Sequence, residues 1–129
     1  MAADISSGRL WAGNVITVLV VAFLLFDGIT KVMRVAPVME ATKVLGLPAA
    51  RVAGIGLLLL ACTTLYAIPT TAVLGAVLLT GYLGGATAIH VRAGSAMFPV
   101  VFSVGFGVLA WAGLILREPR LLRMILLRQ

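Results

Sequence analysis

An all-α integral membrane bundle of four transmembrane helices, with a short interfacial helix between spans one and two, is the fold class this sequence predicts. Three observations carry that expectation. Val52 to Ile89 runs thirty-eight residues with no charged side chain, and Leu10–Phe26 and Ala93–Leu116 are two further uncharged stretches. A hydrocarbon core needs only ~20 apolar residues in a helix, so the long run is too long for one span and suits two. The composition agrees: 62% hydrophobic, 11% charged and a mean hydropathy of +1.17 leave too little polar surface for a water-soluble chain of this length.

The elements follow in order. Span one covers about 11–33, with Trp11 at headgroup level. No small-residue cleavage site follows its apolar stretch, so it reads as a permanent span rather than a secretory signal. Pro37 opens a second, shorter helix over about 37–46, which Gly46-Leu47-Pro48 closes and which carries Glu40 and Lys43 near one face. Span two covers about 50–67 and span three about 71–91, and Pro69 turns the hairpin between them. Span four covers about 98–116. Arginines at 117, 120, 123 and 128, interleaved with leucines, make the 117–129 tail a short helix lying in the interface. By length, residues 1–129 form a single domain.

Charge and cysteine usage narrow the function classes. The net charge of +6 gathers at span ends, where Lys and Arg meet anionic headgroups, so nucleic acid is not an expected partner. Cys62 is the lone cysteine and sits in an apolar run. No spacing suits a metal, and no cofactor motif is evident. Four spans place both termini and the 68–71 turn on one side. Five basic residues then fall on each side, which ties the positive-inside count. The dense tail cluster favours cytoplasmic termini.

Spans one and three run in the same direction, so their C-terminal ends share one membrane surface. At ~1.5 Å per residue Asp27 lies ~25 Å along its span and His90 ~28 Å along its own. Asp27, Lys31, Tyr82, Thr87, His90 and Arg92 are therefore expected to converge on one half of the bundle. Ionisable groups inside a bilayer are costly, which makes this set the best site candidate: Asp27, His90 and Tyr82 as catalytic groups, and Lys31, Thr87, Arg92 and Glu40 as ligand-binding groups. Plainer roles stand beside these. Asp27 and Lys31 form an i,i+4 pair that can simply cap a span, Tyr82 can satisfy a carbonyl, and His90 and Arg92 can anchor at the interface. Gly81 and Gly85 make a GxxxG, and with Gly84 they are expected to pack helices, within one bundle or across a homodimer.

The residues so assembled resemble the DoxX-like membrane proteins. The likeness rests on Phe26-Asp27-Gly28-Ile29-Thr30-Lys31, on Pro37 and Glu40, on Tyr66 through Gly75, and above all on Gly81-Tyr82-Leu83-Gly84-Gly85-Ala86 through His90-Val91-Arg92. It extends from about Val20 to Pro119, and Asp27, Lys31, Tyr82, Gly84, Gly85, His90 and Arg92 match motif positions. The resemblance implies a bacterial four-helix protein of the cytoplasmic (inner) membrane. The family takes its name from a subunit of a thiosulfate:quinone oxidoreductase, and relatives have been linked to redox-stress complexes. A quinone or another lipophilic small molecule, held for an oxidoreductase or isomerase role, is one implied function. A non-catalytic subunit that anchors a membrane oxidoreductase partner is the other. A transporter is disfavoured, because four short spans show no inverted repeat.

Overall fold

The structure is a computed structural model and describes residues 7–127. It contains α1 (Ser7–Met33), α2 (Ala36–Val44), α3 (Ala49–Ala67), α4 (Ala72–Arg92), α5 (Met97–Arg117) and α6 (Arg120–Leu127), with a 3-10 turn at Pro69–Thr71 ahead of α4. Among the described residues there are no strands, and α1, α3, α4 and α5 are each long and apolar enough to cross a membrane. The all-α four-helix membrane bundle is therefore the observed fold. α1 extends upstream of Trp11, which stands on the surface of its second turn rather than at the start of the helix. A short helix does form in the tail, although Arg128 lies outside the described residues.

Local chemistry explains the ends of these helices. Pro37 occupies the first turn of α2, where its missing N–H leaves no bond unmade. α1, α2 and α4 close alike. Val35 N–H donates to the Thr30 carbonyl, Leu47 N–H to that of Thr42 and Ser95 N–H to that of His90, each bond reaching back five residues. This closure requires a left-handed residue one position earlier. Gly46 (φ 80) and Gly94 (φ 71) fill two of those positions without strain, and Arg34 (φ 55) fills the third.

The four long helices form an antiparallel ring in the order α1, α3, α4, α5 and back to α1. Among the described residues the diagonal pairs, α1 with α4 and α3 with α5, make no backbone contact. Glycines set the close crossings. A Cβ on Gly28 would stand 3.3 Å from the Gly56 carbonyl oxygen, and one on Gly56 would stand 2.8 Å from that of Gly28, so α1 and α3 meet backbone to backbone. Gly13 and Gly113 do the same for α1 and α5, where a Cβ on Gly13 would stand 3.0 Å from the Gly113 oxygen. At the hairpin, a Cβ on Gly75 would overlap the Tyr66 backbone nitrogen. In lipid, such approach supplies the packing that a hydrophobic drive cannot.

This corrects the expected packing role of Gly81, Gly84 and Gly85 within the bundle: a Cβ at any of the three would meet nothing within 4 Å. GxxxG spacing says that a smooth face exists, but not that another helix lies against it.

The core lies in the half of the ring that holds the hairpin. Val20, Leu59, Tyr66, Ala76, Leu79 and Ala110 are all nearly sealed there, and Leu24 stands at the boundary with the other half. The Tyr66 hydroxyl crosses the ring to donate to the Ala110 carbonyl at 2.6 Å. In the opposite half, where α1 and α4 end, the ring is open inside.

Candidate functional site

That opening is a cavity of about 610 Å³, walled by all four long helices and covered by α2. α1 supplies Phe23, Leu24, Asp27 and Lys31. α4 supplies Gly81, Tyr82, Gly85, Ile89 and His90, while Ile55 and Leu58 come from α3. Val38, Ala41 and Thr42 of α2, with Leu45 and Leu47 after it, lie across the end. Its size and its mostly apolar lining with a few polar groups are those of small-molecule sites.

The polar groups stand in a small set. Lys31 Nζ donates to Asp27 Oδ1, one helical turn away. Both side chains are largely withdrawn from the surface, at 16% and 31% exposed, so neither is a freely solvated surface charge. The α1–α3 crossing fixes their place: Gly28 adjoins Asp27, and the Lys31 Cβ lies 2.7 Å from where a Cβ on Gly56 would stand. Opposite, His90 Nδ1 hydrogen-bonds the Ser95 hydroxyl at 3.2 Å, which orients the ring from the turn after α4. Tyr82 is half-buried and packs against the core cluster. Asp27, Lys31, Tyr82 and His90 thus do share one cavity, as the matched depths of spans one and three predict.

Other expected members lie elsewhere. Thr87 donates to the Leu83 carbonyl at 2.8 Å and, with Gly84, lines a second groove on the outer side between α4 and α5. Arg92 is exposed, and its guanidinium reaches the turn after α2, 3.6 Å from where a Cβ on Gly46 would stand. Glu40 points away on the exposed side of α2. These three are corrections of place. Thr87 shares a helix with His90 and stands only ~60° round from it, and that rotation turns it to the α4–α5 groove instead of the cavity. Arg92 lies beyond the last interior turn, and Glu40 sits opposite the apolar side that α2 turns to the cavity. Gly81 and Gly85 instead line the cavity itself.

Several lining residues carried no polar signal. Phe98, Phe102 and Phe106 recur every four residues along α5, and Phe23 of α1 joins them. Its ring centroid is 4.5 Å from that of Phe106 and 5.2 Å from that of Phe102. The spacing is legible in the sequence, although a core stripe reads the same way. Among the described residues no three His, Cys, Asp or Glu side chains gather as metal ligands.

Four bilayer-length helices around a partly polar cavity define a small multi-pass membrane protein with a cavity inside its bundle. The pattern of the DoxX-like family matches residues 15–113, and the chain belongs to that family. No curated protein and no solved structure matched the chain.

Proposed function

We propose that this DoxX-like protein binds a lipophilic small molecule carrying a polar head, with a quinone as the fitting class, and serves an oxidoreductase or isomerase role. One observation carries the reading: Asp27, Lys31, Tyr82 and His90 line the same mostly apolar cavity within the bundle. Ionisable side chains held within a span are expensive and by default mark a working site. Lys31, Tyr82 and His90 offer N–H and O–H donors to a ligand oxygen, and Asp27 offers an acceptor that can take or return a proton. The phenylalanines suit a flat ring or an isoprenoid chain. Saturable binding of decylubiquinone to the protein in nanodiscs is the test. Wild type is expected to bind, and Asp27→Asn with His90→Gln to weaken binding at least tenfold while expression and helicity hold. Equal binding by that double variant would sink the reading.

The groove between α4 and α5 favours a second reading, a non-catalytic subunit holding a membrane partner. It measures about 550 Å³, opens outward and is lined by Gly84, Gly107, Val104 and Val108. A wild-type complex larger than the protomer in mild detergent, lost in Gly84→Leu, would support this reading. A protomer-sized species throughout would remove it.

A further inference from the structure

We propose that the ligand is dissolved in the bilayer and enters the cavity sideways, through a cleft between α3 and α4. This inference rests on the binding reading above and adds the route and the phase from which the ligand comes.

The other sides of the cavity carry backbone contact, stacked rings or the α2 cover. The α1–α3 side is shut by the Gly28–Gly56 crossing, where the backbones touch. On the α5–α1 side Phe23 stacks on Phe106 and tilts against Phe102, so aromatic rings stand across the wall, with Phe98 exposed one turn earlier on α5. Between α4 and α5, Leu83 and Ser103 are buried. The aqueous end lies under α2 and its following turn, whose lining residues are almost wholly apolar. A water-borne ligand would have to displace that cover.

The α3–α4 side differs along its length. At the hairpin the helices touch so closely that Gly75 has no room for a Cβ against Tyr66. Gly81 and Gly85 lie about 9 and 15 Å further along α4 at ~1.5 Å per residue, and there a Cβ meets nothing within 4 Å. The close backbone contact at the turn is therefore not repeated at these two glycines. Gly81 and Gly85 on α4 and Leu58 on α3 line the cavity and are exposed, Leu58 by 57%. The cavity wall and the lipid-facing surface are therefore continuous here. Every group along this edge is apolar or glycine, so a lipophile passes from acyl chains to cavity without meeting water. Its polar head meets Asp27 and Lys31 only once inside.

Two measurements test the cleft separately from the binding. First, nitroxides placed at Gly81→Cys and Gly85→Cys in a Cys62→Ser background, in phosphatidylcholine–phosphatidylglycerol vesicles, should relax with membrane-dissolved O2 and not with an aqueous nickel chelate. Dominant nickel access, or access by neither, overturns the cleft. Second, Gly81→Leu and Gly85→Leu should slow decylubiquinone uptake from nanodiscs at least tenfold, with circular dichroism unchanged. Uptake at the wild-type rate by both leucine variants, alongside real wild-type binding, overturns the route and leaves the site standing. Absence of saturable binding in the wild type overturns the site, and the route's occupant with it.

Discussion

Tyr66 on α3 and Ala110 on α5 are joined across the bundle, hydroxyl to carbonyl at 2.6 Å, although their helices make no backbone contact. Tyr66 is fully buried, so its ring fills the centre of the ring of helices and its hydroxyl ties the diagonal. Tyr66→Phe keeps the volume and removes the tie. A net loss of about 0.5–1.5 kcal/mol is expected, since the Ala110 carbonyl also belongs to the α5 ladder. Thermal unfolding in detergent measures it. Tyr66→Ala should cost about 3–5 kcal/mol through the cavity it leaves.

The glycines separate into two groups that a single experiment distinguishes. Gly75→Ala drives a methyl into the Tyr66 backbone, which cannot yield as a side-chain tip would, and should cost about 3 kcal/mol or more. Gly84→Ala meets open space and should be neutral, or stabilise by up to ~1 kcal/mol through helix propensity. A thermal-shift series over both variants decides, and equal effects would contradict the packing described.

Asp27 and Lys31 should behave as one unit. Removing either leaves the other partly buried without its ion-pair partner, so the losses in Asp27→Asn and Lys31→Met should add up to more than the loss in the double variant. A coupling of about 0.5–3 kcal/mol is expected from the double-mutant cycle. Strict additivity would mean that the pair does not act as one.

Outside the spans, Arg120 donates to Glu118 from Nε at 2.8 Å and from Nη2 at 3.3 Å. These bonds hold the Glu118 carboxyl below its ordinary value of 4.5. A carboxylate with a depressed pKa adds stability above its unfolded pKa and loses it as pH falls through the folded one. The turn into α6 should therefore loosen on acidification below about pH 4.5, seen as faster amide exchange near 118–121. Glu118→Gln should exchange fast at every pH. Both groups are solvent-screened, so overall stability should scarcely move.

Much of the fold was legible because the bilayer is an exacting solvent. The uncharged run from Val52 to Ile89 had to be two helices, and Pro69 had to lie in their turn. The meeting of Asp27 with His90 and Tyr82 was also legible, because rise per residue and alternating direction set depth without any knowledge of packing. Thr87, Arg92 and Glu40 were misplaced for the complementary reason. Depth is one coordinate, and which face a residue presents to which neighbour is another. The phenylalanine wall at positions 98, 102 and 106 was visible as a stripe, but nothing in its spacing said whether it faced core, lipid or cavity.

By itself, then, the sequence determined membrane residence, the number of spans and the depth at which the ionisable groups sit. Hydrophobicity and helix rise are local properties, and they suffice for all three. Only the tertiary structure decided which glycines are contacts and which are openings. Gly28, Gly56 and Gly75 touch backbone while Gly81 and Gly85 face empty space, though all are glycines within spans. The difference lies in where a second helix passes, and that depends on the crossing of α1 with α3 and on the close approach of α3 and α4 at the Pro69 turn.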